Sequence, residues 1–162
     1  MSLEEYNKKR NFEKSLEPKG EVKKIQERKG KIFVIQKHHA RKLHWDLRLE
    51  INGVLKSWAI PKEPPMKEGI KRLAVQTEDH PIEYANFEGE IPEGMYGAGK
   101  VKIWDKGKFI PEKIEEGEIL FELKGEKLKG NFALIKLKSS EKFKGKNNWL
   151  FFKRKSYVEK EE

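Results

Sequence analysis

Three imidazoles and a carboxylate crowd into one short stretch, QKHHARKLHWDLR, from Gln36 to Arg48. His44 and Asp46 lie two residues apart. On a strand they would point to the same face, with Cα atoms about 6.6 Å apart at a rise of about 3.3 Å per residue. From there an imidazole and a carboxylate can converge on one ion. His38, at the end of a preceding strand or in the turn after it, could swing back as a third ligand. Two His and one Asp leave coordination positions open for water and substrate, which suits a catalytic ion better than a closed structural one. The set is compatible with manganese, zinc or ferrous iron, and phosphate chemistry without thiolates favours manganese. The competing reading is that these are solvated residues on the wet face of a hairpin, since strands normally alternate apolar and polar positions. Arg48 is next on that face. It is either a bidentate fork for phosphate oxygens or a weak surface ion pair with Glu50.

His80 stands alone in Glu78-Asp79-His80-Pro81. Pro81 restricts it to an extended backbone, so its ring is expected to project from a strand end or loop with an unperturbed pKa near neutrality. Gly94 to Lys100, GMYGAGK, has the spacing of a phosphate-binding P-loop. Val101, however, takes the place of the magnesium-binding Ser or Thr, and a strand pattern follows where a helix is required. The segment reads as a tight glycine turn, and nucleotide hydrolysis is rejected.

The elements that must position these residues are strands. In KLHWDLRLEI, Leu43, Trp45, Leu47, Leu49 and Ile51 alternate with His44, Asp46, Arg48 and Glu50, a period of two. Asn52-Gly53 favours a type I′ hairpin turn, returning the chain through Val54 to Ile60. Further strands are expected at 31–36, 73–77, 100–104, 119–123, 131–138 and 149–154. The fold class is therefore all-β, a compact barrel or sandwich. A short helix is expected near Leu3 to Arg10. Residues 1–30 form an N-terminal arm packing on a barrel of residues 31–155, with a charged tail at 156–162.

The 162 residues fit one domain. Cysteine is absent, which excludes disulfides, thiolate catalysis and cysteine zinc sites. The formal charge of +9 points to a polyanionic partner, nucleic acid ahead of a membrane surface. Lys/Glu-rich surfaces also occur in heat-adapted proteins. No apolar stretch approaches the roughly 20 residues of a membrane helix, and Met1 to Arg10 has no apolar signal region. The expected location is the cytoplasm.

The segments QKHHARKLHWDLRLEINGVLKSWAIPK, KRLAVQTEDHPIEYANFEGEIPEGMYGAGKV and IWDKGKF closely resemble the 3′-phosphoesterase domain of bacterial DNA ligase D and its free-standing relatives. The likeness runs from about Tyr6 to Arg154. It implies a β-barrel of about eight strands with a manganese-dependent site, other divalent ions such as zinc or cobalt being alternatives. It implies trimming of a primer strand: removal of a 3′-terminal ribonucleoside, then of the 3′-phosphate, leaving a 3′-OH. By this resemblance His38, His44 and Asp46 are the metal ligands. Arg48, His80 and Tyr84 are catalytic, the first two acting on the scissile phosphate, and Lys62, Arg72, Arg10 and Glu17 bind substrate or its phosphates. Asn11 and His39 stand where the family often has Asp. The expected partners are primer–template DNA and, non-covalently, ligase, polymerase and end-binding repair proteins, around a stand-alone monomer. Two other classes compete: a non-haem iron oxygenase with His44, Asp46 and His80 as its triad, and a non-catalytic nucleic-acid-binding barrel.

Overall fold

Asn52 and Gly53 both adopt positive φ, 54° and 79°, the signature of a type I′ turn. They join two antiparallel strands in register, with Ile51 opposite Val54 and Trp45 opposite Ile60. The computed structural model describes residues 3–10, 17, 30–142 and 144–155. The expected arm, apart from its first helix and a few residues, lies outside this set, as does the charged tail at 156–162. In chain order the elements are α1 (Leu3–Lys8), β1 (Lys31–His39), β2 (Leu43–Ile51), β3 (Val54–Ile60), β4 (Lys71–His80), a 3₁₀ turn (Ile82–Asn86), β5 (Gly89–Ile91), β6 (Gly99–Glu115), β7 (Glu118–Lys124), β8 (Lys129–Lys136) and β9 (Asn148–Lys153).

The hydrogen-bonded order is β1-β2-β3-β4-β9-β8-β7-β6-β5, and β6 also pairs with β1. That closes an eight-stranded antiparallel barrel with β5 appended, the expected fold class. The barrel interior is filled by alternate residues such as Phe33, Leu47, Trp58, Phe121, Phe132 and Phe151. Burying each large side chain is worth about 1.5–3 kcal/mol. Asp105 ties the β7–β8 turn to β6. Its buried carboxylate accepts backbone N–H groups from Lys106, Glu126, Lys127 and Leu128 at 2.8–3.2 Å.

A second apolar cluster lies on the outer face of β1 and its neighbours. Tyr6 of α1, Ile82, Tyr84, Ala85 and Phe87 pack there against Val34, Leu55 and Val101. This cover changes the character of β2: from Trp45 to Ile51 both of its faces are buried. The alternating polar residues therefore do not form a wet face. They form the wall of a covered pocket.

Candidate metal centre

Register brings the chemistry-bearing residues together. His38 pairs with His44, Gln36 with Asp46 and Val34 with Arg48 across β1 and β2. Residues directly opposite share a face. Asp46 in turn faces Ala59, and Arg48 faces Ser57, on β3. His38, Asp46 and Arg48 are buried and His44 is half-buried. With Arg10, Thr77, Glu78, His80, Tyr84, Tyr96 and Gly97 they line a cavity of about 230 Å³.

The three donor atoms of His38, His44 and Asp46 lie within 4.8 Å of one another. Asp46 Oδ2 is 3.6 Å from His38 Nδ1 and 3.2 Å from His44 Nε2. The other nitrogen of each ring is committed to a backbone carbonyl. His38 Nε2–H donates to Gly97 O at 2.7 Å, and His44 Nδ1–H donates to Lys42 O at 3.0 Å. Backbone acceptors of this kind fix the tautomer of a metal-binding histidine. In neutral rings the inward nitrogens then carry lone pairs, aimed at a carboxylate oxygen. Such a convergence of lone pairs is repulsive unless a cation, either a proton or a metal ion, lies among them. The donor set thus fits a divalent ion.

The electrostatics agree. Burial alone would lower the His44 pKa, but the hydrogen bond and charge of Asp46, with the Lys42 carbonyl, raise it above the ordinary imidazole value. Burial alone would raise Asp46. The charge of Arg48 and the hydrogen bonds of both histidines instead hold it well below the usual carboxylate range.

Arg48 is buried and held from three sides. Its Nε donates to Gln36 Oε1 at 2.6 Å, its Nη2 lies 3.5 Å from Asp46 Oδ2, and its guanidinium lies 4.8 Å from the Tyr84 ring centre. Gln36 is anchored by donating to Tyr84 O at 2.7 Å and Phe87 O at 3.1 Å. Arg10, which lines the same cavity, donates to Glu17 Oε2 at 2.8 Å and Glu78 Oε1 at 3.3 Å. Tyr84 O–H donates to Glu17 at 2.8 Å. Burial, first of all, pushes the Tyr84 phenol well above its ordinary pKa, so it stays protonated.

His80 departs from expectation in two ways. It closes β4 but is fully packed, in edge-on contact with Tyr6 and Tyr84. Its Nδ1–H donates to Glu78 O at 3.0 Å, and its Nε2 accepts from Arg10 Nη2 at 3.2 Å. Burial, then the charges of Arg48 and Arg10, push its pKa well below 6.5. It is a neutral acceptor at pH 7, not an unperturbed titrating group. It also stands outside the donor cluster, so the oxygenase triad of His44, Asp46 and His80 does not assemble. His39 is exposed and outside the cluster. Lys62 is exposed past the end of β3, and Arg72 directs its Nε to Glu63 O at 2.7 Å; neither lines the cavity. Asn11 lies outside the described residues. Glu17 is buried behind Arg10. Sequence reasoning did not single out Gln36, Glu78, Tyr96 or Gly97. Gln36 carried one signal, a polar residue between apolar Ile35 and the histidines.

The chain can be placed among known proteins. The family model described as the DNA ligase D 3′-phosphoesterase domain matches residues 36–136. The multifunctional non-homologous end joining protein LigD of Pseudomonas aeruginosa is 48% identical over 139 residues, covering 83% of this chain and 16% of that protein. Its counterpart in Mycobacterium tuberculosis is 48% identical over 138 residues, 83% of this chain and 18% of the relative. The one from Mycolicibacterium smegmatis is 50% identical over 129 residues, 73% and 16%. The chain thus spans less than a fifth of the length of these relatives.

Proposed function

The chain belongs to the DNA ligase D 3′-phosphoesterase family, and from that premise we propose that it heals the 3′ ends of DNA strands in two hydrolytic steps. In the first, water attacks the phosphorus of the terminal linkage. The O5′ of a 3′-terminal ribonucleoside leaves and takes up a proton, and the phosphate stays on the strand. In the second, another water releases inorganic phosphate and leaves a 3′-OH. The observation that carries the reading is the convergence of His38 Nδ1, His44 Nε2 and Asp46 Oδ2 beside a buried arginine.

These three atoms would hold the cation, for which manganese is our choice. When bound it supplies positive charge to phosphate oxygens and acidifies water. Arg48, held by Gln36, Asp46 and Tyr84, presents a prearranged guanidinium to the charge that builds on the equatorial oxygens. Arg10 supplies the second guanidinium, aimed by Glu17, Glu78 and the neutral His80. His80 in this arrangement is a positioning residue for Arg10, not the proton donor to the leaving oxygen. Tyr84 remains a phenol and braces both arginines, through its ring and through Glu17. Lys62 and Arg72 lie away from the cavity and suit contacts with the strand backbone, which are salt-sensitive and sequence-tolerant.

The test is a labelled primer–template ending in one ribonucleotide or in a 3′-phosphate, incubated with and without manganese and with chelator. Metal-dependent loss of the nucleoside and then of the phosphate is expected. Full turnover after the protein is stripped of metal refutes the reading. His44→Ala should abolish both metal uptake and turnover while the barrel stays folded by circular dichroism.

A further inference from the structure

Tyr96 is unassigned once the triad and the arginines have roles. It sits in the glycine turn GMYGAGK between β5 and β6, where Gly94, Gly97 and Gly99 take φ of 84°, 77° and 132°. These are values that favour glycine. The carbonyl of the next residue, Gly97, is the one that holds His38. Tyr96 is therefore tied to the metal centre through one peptide unit. Yet it is 47% exposed while lining the same cavity. Two cations lie near its ring: Lys9 Nζ is 4.6 Å and the Arg10 guanidinium 5.4 Å from its centre. Lys9 also reaches its hydroxyl at 3.4 Å.

The cavity, at about 230 Å³, is smaller than the roughly 300–1,000 Å³ of pockets that enclose a whole organic ligand. A strand end with its last phosphate at the triad must therefore leave a base outside, at the mouth. Bases within a paired primer are already stacked on both sides. The terminal base has a free face, and an exposed aromatic ring accepts any base by stacking.

We propose that Tyr96 is the platform on which the base of the 3′-terminal nucleoside stacks, so that it selects strands still carrying that nucleoside. This rests on the two-step reading above. Once the nucleoside has left, the platform has nothing to hold, and the 3′-phosphate step proceeds without it.

The experiment compares the parent protein with Tyr96→Ala and Tyr96→Trp on ribonucleoside-ended and 3′-phosphate-ended primer–templates. Stacking on an aromatic is commonly worth about a factor of ten in affinity. Tyr96→Ala should raise KM for the ribonucleoside end about tenfold, with kcat within about twofold, because the contact is equally present in the ground and transition states. KM for the 3′-phosphate end should not move, and Tyr96→Trp should behave as the parent. Fluorescence anisotropy in the presence of manganese, with the terminal ribonucleoside joined through a hydrolysis-resistant phosphorothioate linkage, should show the same roughly tenfold difference in binding that end. Equal losses on both ends would mean that the loop acts through His38, and no loss on either would mean no contact; both overturn the proposal. If the parent protein trims neither end, the two-step reading fails, while the binding comparison still reports on Tyr96.

Discussion

Replacing Gln36 with Met keeps the side-chain volume nearly constant and removes only its polar end. Gln36 is fully buried, and its amide serves three groups: Arg48 Nε, Tyr84 O and Phe87 O. A charged donor deprived of its partner costs about 1.5–3 kcal/mol, and each carbonyl about 1 kcal/mol more. Water cannot easily restore these bonds, because the Tyr6–Tyr84–Phe87 cluster seals this side of the pocket. The total is roughly 4 kcal/mol, a large fraction of the stability of a domain this size but short of all of it. For a chain of this length that corresponds to a fall in Tm of about 10 °C. The same change frees the Arg48 guanidinium on one side, so kcat should fall at least about tenfold. Metal affinity should stay near the parent value, because the triad is untouched. The assays are thermal unfolding of metal-free protein, a metal titration and the trimming rate. A Tm drop under about 3 °C would show that the three bonds are not energetically coupled to the fold, and the argument from unmet buried groups would fail.

Two further outcomes follow from the ionisations and from the barrel's own scaffold. A raised His44 pKa contributes stability that is present below its ordinary value of 6.5 and is lost as pH rises through the folded value. A depressed Asp46 pKa contributes stability that is present above 3.8 and is lost as pH falls through the folded value. Metal-free protein should therefore gain most from this pair between about pH 4 and pH 6.5, and lose the His44 part as pH rises from there through its raised pKa. Saturating divalent metal competes with the His44 proton and should move the optimum upward, as urea unfolding across pH would show; an unchanged optimum refutes the assignment of His44 as ligand. Asp105→Ala strips acceptors from four backbone N–H groups and should cost about 3 kcal/mol or more in urea unfolding. The residual folded fraction should trim at the parent rate, and a changed rate would tie the β7–β8 turn to the site.

The half of the site carried by one hairpin was legible, because its information is local. Period-two alternation in KLHWDLRLEI and the Asn52-Gly53 turn fix which side chains share a face, and the β1–β2 register then delivers His38 opposite His44. The burial of that face was not legible, because its cover comes from Tyr6 and from 82–87, far away in sequence. The same gap hid the low pKa of His80, which comes first from burial against Tyr6 and Tyr84 and then from the charges of Arg48 and Arg10. The three-residue β5 is too short to show a period. β6 runs for 17 residues where a pattern was visible over only five, because Gly107 and Pro111 read as breakers. In the structure Gly107 lets the Lys124 carbonyl approach where a Cβ would collide with it, and Pro111 sits at a bulge.

The charge pattern of the pocket suggests an order of events. Around the cavity Arg10, Arg48 and Lys9 are set against Glu17, Asp46 and Glu78, and almost every one of these charges is already engaged with another. Formally the set is balanced, so without a metal ion it has little net attraction for phosphate. A divalent ion held by His38, His44 and Asp46 would tip the balance positive by the amount that a phosphate dianion would cancel. A diester, with a single charge, cancels only half of it. In so small and sheltered a volume such differences are weakly screened. Metal binding should therefore precede productive substrate binding, and charge alone, apart from any contact made by the terminal base, should hold the 3′-phosphate more firmly than the diester from which it came. On the proposed two-step reaction, that favours passing the strand directly from the first cut to the second over releasing it between them.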